Sequence, residues 1–249
     1  VSEPEIHTEF GASVRTLLTE ADHACGPALA DAAQLVVSAV DAGGVLHVAG
    51  AGHSLAMVCE TFYRAGGLAA VRPLWHPELL PLNDARHSSV AERRSGLAEA
   101  VLTAAEPAPP DALVVFSTSG RNPYPVEIAE LGAARGLPVI AVTSRAASAG
   151  ASARSASTLA ERATVVLDTA VPAGDVVYPA GAPHTAAVST ILASYVWGRL
   201  LAEVDDLAAR QGSTLPRWTS ANLPGGDEAN ARLFARYAGR VPELSGTRE

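Results

Sequence analysis

The chain contains no lysine, so all eighteen of its basic residues are arginine. That absence removes the Schiff-base lysine, the pyridoxal phosphate anchor and the Gly-Lys-Thr phosphate loop from the available chemistry. Cysteine is scarce as well. Cys25 and Cys59 show no CxxC or zinc-like spacing, so both are expected as small buried hydrophobes rather than a disulfide or a metal pair. No stretch of about 18 apolar residues runs free of charge, which leaves no spanning helix to expect. Glu3, Glu5 and Glu9 stand where a secretory leader would carry basic charge, and a cytoplasmic protein is expected. A net charge of −8, with no arginine cluster interleaved with aromatics, argues against nucleic acid as a partner. Nowhere do histidines and carboxylates fall at a metal-binding spacing such as HExxH, so no essential metal is expected.

What is present is apolar and periodic. At 249 residues and 48% hydrophobic content, the chain can bury one large core. Its most informative stretch is Ala112 to Phe116, a continuous apolar strand that empties into Ser117-Thr118-Ser119-Gly120-Arg121-Asn122 and then reaches Pro123, a residue suited to a first helical turn. A turn at the carboxyl end of a buried strand faces a helix N-terminus. There, free N–H groups and a partial charge of roughly +0.5 favour an anion. The alternative is an ordinary turn in which Ser119 caps the helix.

A second strand, turn and helix unit has the same logic. Val45 to Ala49 reads as a strand, Gly50-Ala51-Gly52-His53-Ser54 as a tight turn, and a helical pattern continues through Ala65. The third glycine of a dinucleotide fingerprint is missing, so a nicotinamide cofactor is not expected. Two helices are expected from about Pro4 to Ala42. Further helices are expected at Ser88 to Ala105, Pro125 to Arg135, Ala186 to Leu207 and Asp227 to Tyr237, and strands at Ala69 to Val71, Pro138 to Val142 and Thr164 to Leu167. Ser144 to Ser157 reads as a loop leading to a short helix near Leu159. The alternation predicts an α/β fold: a five-stranded parallel sheet between helical layers, a three-layer αβα sandwich.

The Gly-x-Gly-x-Ser turn and the Ser-x-Ser-Gly turn together resemble the sugar isomerase, or SIS, domain. Within it the chain is similar to the UPF0309 branch through Gly52-His53-Ser54, Glu60 to Gly67, Ser119-Gly-Arg-Asn122, Gly174-Asp175, Asn222 and Gly226-Asp227-Glu228-x-Asn230. The arginine-only, alanine-rich composition looks like that of a high-GC actinobacterial version. The resemblance implies an N-terminal helical extension over 1–44 packing on the sheet or on a second subunit, an SIS domain over 45–210, and a C-terminal loop and helix over 211–249. It implies a homodimer with the site at the subunit boundary and no cofactor. The family's usual Thr or Ser two residues beyond the glycine is here Asn122.

The implied ligand is a small phosphosugar, gripped by Ser117, Thr118, Ser119, Gly120 and Asn122, with Gly52, His53 and Ser54 beside it. The implied chemistry is removal of the C2 proton of an open-chain amino-sugar 6-phosphate. Loss of the C3 oxygen then gives a dehydratase, with N-acetylglucosamine-6-phosphate dehydratase as the functional model, whereas return of the proton to C1 gives an isomerase. A sensor that binds without turnover is the third possibility. Such a reaction needs a base and an acid. Glu60 resembles a glutamate on the equivalent helix of SIS isomerases; its alternative is an i,i+4 pair with Arg64. Glu92 could face the same cleft or lie with Arg93 on a solvated face. His184 could reach the ring oxygen or be structural, His53 could bind substrate or supply a proton, and Asp175 could hold a hydroxyl or serve a turn. His47, inside a strand, is expected as a satisfied core histidine.

Overall fold

Strands form where apolar runs can be covered on both faces, and three of them are buried at every residue. In the computed structural model, which describes residues 8–246, the chain opens with α1 (Thr8–Asp41), β1 (Leu46–Gly50), α2 (Leu55–Thr61) and β2 (Val71–Leu74). It continues through α3 (Ala85–Ala91), α4 (Leu97–Ala105), β3 (Ala112–Phe116), α5 (Pro123–Ala134) and β4 (Val139–Thr143). Then come α6 (Arg145–Gly150), α7 (Leu159–Arg162), β5 (Val165–Asp168) and a short hairpin of β6 (Val176–Tyr178) and β7 (Thr185–Ala187). Helices α8 (Ser189–Gln211) and α9 (Gly226–Tyr237) complete it.

The main sheet is parallel throughout, in the order β2-β1-β3-β4-β5. Strands β1, β3 and β4 occupy its centre and are buried at every position, as their unbroken apolar sequences require. Helix α1 packs on α8 and β5, while α4, α5 and α7 pack together. The chain leaves β1 toward β2 and leaves β3 toward β4, so the order reverses between β1 and β3. Ligands in open parallel sheets bind outside the carboxyl ends of the strands at that point.

Several elements differ from the sequence expectation. One helix, α1, replaces the expected pair: Gly26 and Pro27 sit on its exposed side, so the lost hydrogen bond faces water while Leu29, Ala32, Ala33 and Val36 stay buried. Pro4 to His7, the start of the expected first helix, and Glu3 lie outside the described residues. The expected helix at Ser88 to Ala105 is two, α3 and α4, separated at Gly96, whose φ is +94°. Helix α2 stops at Thr61, whose hydroxyl donates to the Val58 carbonyl at 2.9 Å. Beyond it Tyr63 turns into the left-handed region and joins Trp218 and Phe234 in a ring cluster with centroids 4.8–5.2 Å apart. Cys25 is buried as expected, but Cys59 is exposed, on the outer side of α2. The Ser144 to Ser157 loop contains α6, which Ser144 caps by accepting from the Ala147 N–H at 3.1 Å.

The C-terminal residues are integral to the body. The buried Asn230 amide accepts from the Thr219 N–H at 3.0 Å and donates to the Thr219 carbonyl at 2.8 Å. Among the described residues no helix is long and apolar enough to cross a membrane.

Candidate functional site

A cleft of about 620 Å³ opens at the carboxyl ends of β1, β3 and β4, where the strand order reverses. Its floor is apolar, from Phe116, Val142 and Met57, and Trp197 of α8 meets Phe116 edge-on with centroids 6.1 Å apart. Three walls carry polar groups.

The first wall is the turn after β3. Its backbone is pinned from behind: Ser117 Oγ accepts from the Gly120 N–H at 3.2 Å, the Thr118 carbonyl accepts from the Ser144 N–H at 2.9 Å, and the Gly120 carbonyl from the Leu159 N–H at 2.9 Å. Those bonds leave the hydroxyls of Thr118 and Ser119 facing the cleft without a partner among the described residues. Helix α5 contributes less than its position promises. Pro123 and Pro125 have no N–H, the Tyr124 N–H is taken by the Glu92 carbonyl at 3.4 Å, and that of Val126 by the Asn122 carbonyl at 3.5 Å. An anion here therefore meets the hydroxyls and backbone N–H groups of the turn together with the helix dipole, not a row of free helical donors. Asn122, not Ser119, is the N-cap, and its side chain makes no capping bond.

Gly120 holds a φ of +59°, and a Cβ there would lie 3.0 Å from Leu159 Cβ and 3.1 Å from Thr143 Oγ1. Gly120→Ala is thus expected to lower stability by about 1–3 kcal/mol, read as a lower urea midpoint. An unchanged midpoint would show that the turn relaxes freely.

The second wall is the turn after β1 together with the end of α3. A Cβ at Gly50 would lie 2.6 Å from the Ser54 carbonyl oxygen, so only glycine lets the turn fold back onto the strand end. Gly52 takes a φ of +57°, and His53 and Ser54 line the cleft beyond it. Glu92 faces them from the C-cap of α3: a Cβ on Gly52 would come within 3.4 Å of its Oε2. Burial pushes the Glu92 carboxyl up from the ordinary glutamate value, against the opposing pull of Arg93, Arg154, the Asn122 amide and His53.

The third wall is the hairpin β6–β7 and the start of α8. Asp175 lines the cleft, yet its oxygens are occupied: Oδ1 accepts from the N–H groups of Val188 (3.1 Å) and Ser189 (2.7 Å), and Oδ2 from Ser189 Oγ (2.7 Å). It caps α8 from across the hairpin, with its own φ at +67°. Asp175→Ala is expected to lower thermal stability by about 1–2 kcal/mol, the cost of losing a cap. No change in melting temperature would contradict the capping role.

The structure thus brings His53, Ser54, Ser117, Thr118, Ser119, Asn122, Glu92 and Asp175 to one cleft, with Gly52 and Gly120 shaping its turns. It does not bring Glu60 or His184. Glu60 stands one turn too far along α2 and pairs with Arg64, Nε to Oε1 at 3.3 Å. His184 is exposed on the hairpin with its Nδ1 3.1 Å from the Ala182 carbonyl oxygen. Sequence reasoning missed Thr169 and Thr190 as lining residues and Arg154, whose Nη1 donates to the Oδ1 of the cleft-lining Asn122 at 2.8 Å. Thr169 follows directly on the end of β5, a position the strand-end rule marks; Arg154 had no signal. Among the described residues no three or more histidines, cysteines or carboxylates gather as a cation site.

Comparison with known proteins gives consistent matches. A model of the SIS domain matches residues 9–144. A UPF0309 protein of Listeria monocytogenes is 34% identical over 218 residues, spanning 86% of this chain and 88% of that one. Another from Streptomyces griseus is 35% identical over 248 residues, spanning 97% and 98%. The solved phosphoheptose isomerases of Neisseria gonorrhoeae and Francisella tularensis superpose with TM-scores of 0.54 and 0.51, at 20% and 21% identity, each covering 79% of this chain and 95% of theirs. At that identity the likeness is one of fold.

Proposed function

The chain belongs to the SIS-domain family, in its UPF0309 branch, and from that premise we propose that it is a phosphosugar enzyme removing the C2 proton of an open-chain amino-sugar 6-phosphate, N-acetylglucosamine 6-phosphate-like, with elimination of water. The observation that carries this reading is a half-buried carboxylate, Glu92, across one cleft from a hydroxyl-rich turn.

Each part has a role that its chemistry suits. The phosphate sits on the turn from Ser117 to Asn122, held by the hydroxyls of Thr118 and Ser119, backbone N–H groups and the α5 dipole. The sugar chain crosses the apolar floor toward Glu92. Glu92 takes the C2 proton, and the C–H electron pair moves onto the C1 carbonyl oxygen. When those electrons return, the C3–O bond breaks and the departing oxygen takes a proton from the His53 imidazole, leaving as water. No cofactor or metal is assigned a step. Desolvation suits Glu92 to the task, since a base raised toward neutrality is stronger than one at its ordinary value.

We place the enzyme in the cytoplasm as a homodimer, in which Glu60 and His184, outside the cleft of their own chain, would serve the partner's. Aldose–ketose isomerisation is the second reading, favoured by the phosphoheptose isomerases that share the fold. It shares the proton abstraction and differs in where the proton returns.

Proton NMR of the protein with N-acetylglucosamine 6-phosphate, glucosamine 6-phosphate and fructose 6-phosphate in deuterated water separates the readings. Loss of the C2 proton signal with a new vinylic resonance is expected. Exchange with aldose–ketose interconversion would make it an isomerase, and ligand broadening without exchange would make it a sensor.

A further inference from the structure

A phosphate monoester carries a charge of about −1.5 to −2 at pH 7, and the cleft is lined by the carboxylates of Glu92 and Asp175 in a chain of net charge −8. The turn after β3 meets that anion with neutral groups, the hydroxyls of Thr118 and Ser119 and backbone N–H groups. Helix α5 adds few donors, because Pro123 and Pro125 have none and those of Tyr124 and Val126 are taken. Hydrogen bonds from neutral groups orient a phosphate but do not balance its charge, and those made by a cation are roughly twice as strong. His53 stands on the second wall with Glu92. With no lysine in the chain, the positive charge beside the turn has to come from arginine.

Gly150 and Ala151 line the cleft at the end of α6, and Arg154 follows in the segment that leads to α7. Its side chain is exposed, and its Nη1 donates to Asn122 Oδ1 at 2.8 Å. Among the described residues it is the one arginine hydrogen-bonded to a side chain of the cleft lining; Arg121, in the turn itself, donates its Nε–H to the Ser148 carbonyl at 3.0 Å. Arg64, Arg94 and Arg217 each hold a carboxylate, whereas the partner of Arg154 is a neutral amide oxygen. Its charge is therefore not cancelled by a bonded acid, and the rest of its donor fork is uncommitted. Asn122 can serve as the anchor because it caps α5 by position only, with no side-chain bond. We propose that Arg154 is a phosphate-binding residue: anchored on Asn122 Oδ1, its guanidinium joins the hydroxyls of Thr118 and Ser119 on the anion and supplies the positive charge that the turn lacks. The inference rests on the reading of the ligand as a phosphosugar, and it makes the phosphate, rather than the sugar, the part of the ligand that Arg154 selects.

Binding of inorganic phosphate and of N-acetylglucosamine 6-phosphate, followed by NMR titration at two salt concentrations, tests this without turnover. Arg154→Ala is expected to weaken both ligands about 10-fold and to make their affinity less sensitive to salt. Because Arg154 is exposed, the melting temperature without ligand should hold. Arg154→Lys, which keeps the charge but not the planar fork, should fall between wild type and Arg154→Ala. In an Asn122→Ala background the loss on Arg154→Ala should be clearly smaller, since the guanidinium has already lost its anchor. Unchanged affinity in Arg154→Ala, an equal loss with and without Asn122, or a wild type that binds neither ligand overturns the proposal. Binding that depends on Arg154 in a protein that shows no C2 exchange would leave this inference standing while the proposed chemistry falls. Exchange in a protein whose phosphate affinity ignores Arg154 would do the reverse.

Discussion

Glu92→Gln is expected to slow C2 hydrogen exchange by ~10²–10⁴-fold while the phosphosugar still binds. Glutamine keeps the size of the side chain, but it cannot accept the C2 proton. Binding, measured by calorimetry with the same ligand, should change little because the phosphate is held on the opposite wall by the turn after β3. The pH profile gives a second readout. Burial holds the Glu92 carboxyl above the ordinary glutamate value, so the acid limb of the wild-type rate should lie above 4.5 and be absent from the residual rate of the variant. Stability should move the other way from activity. A carboxyl whose folded pKa is raised is disfavoured in its charged form, so it costs stability at any pH above its unfolded value and nothing well below it. Glu92→Gln should therefore melt no lower than wild type at pH 7, with the difference closing as the pH falls below the ordinary glutamate value. Wild-type exchange in Glu92→Gln would remove Glu92 from the mechanism.

The contrast between Glu92 and Glu60 shows where sequence reasoning stops. Both are glutamates on helices with an arginine nearby, Arg93 after one and Arg64 one turn beyond the other, and nothing in the local pattern separates them. Tertiary placement does: α3 ends with Glu92 facing the Gly52 turn, whereas Glu60, one turn past the cleft-lining Met57, pairs with Arg64 just beyond the end of α2. The sheet was legible because β1, β3 and β4 are buried on both faces and must therefore be apolar at every residue. The turn from Ser117 to Asn122 was legible for the same reason, since a strand that is apolar to its last residue marks where polar chemistry begins. The helix after it brings fewer free N–H groups than the strand-to-helix pattern predicts, because Pro123 and Pro125 carry none and the Glu92 and Asn122 carbonyls take those of Tyr124 and Val126. Asp175 reads as a turn residue and is also a cap, but the N–H groups it caps belong to Val188 and Ser189, thirteen and fourteen residues on, across a hairpin of two three-residue strands that left no periodic trace.

The largest loss of stability is expected from a residue far from the cleft. Asp111, directly before β3, is fully buried at the amino end of the sheet, opposite the site. Its Oδ1 accepts from the Val45 N–H at 3.0 Å and from Arg240 Nη2 at 2.7 Å. Its Oδ2 accepts from His47 Nε2 at 3.0 Å, Arg240 at 2.8 Å and the Ala108 N–H at 3.2 Å. One carboxylate thus joins the starts of β1 and β3 to the C-terminal segment. The core histidine expected at position 47 is satisfied only in part: its Nε2 finds a partner sixty-four residues away, while its buried Nδ1 has none among the described residues.

Asp111→Ala strands the buried His47 ring and two backbone N–H groups with no acceptor, and the expected cost is about 3–5 kcal/mol, measured by urea denaturation at pH 7. Burial alone would raise the Asp111 carboxyl. The hydrogen bonds from His47, Val45, Arg240 and Ala108 outweigh burial and hold it well below the ordinary carboxylate range. A depressed carboxyl stabilises above its unfolded pKa, here 3.8, and that contribution is lost as the pH falls from there through the folded value. The gap between wild type and Asp111→Ala should therefore be widest near neutral pH and narrow in acid. Phosphosugar binding at a temperature where the variant is folded should be nearly that of wild type, because the cleft lies at the other end of the strands. A variant that loses binding while keeping its urea midpoint would mean that Asp111 acts on the cleft rather than holding the amino end of the sheet.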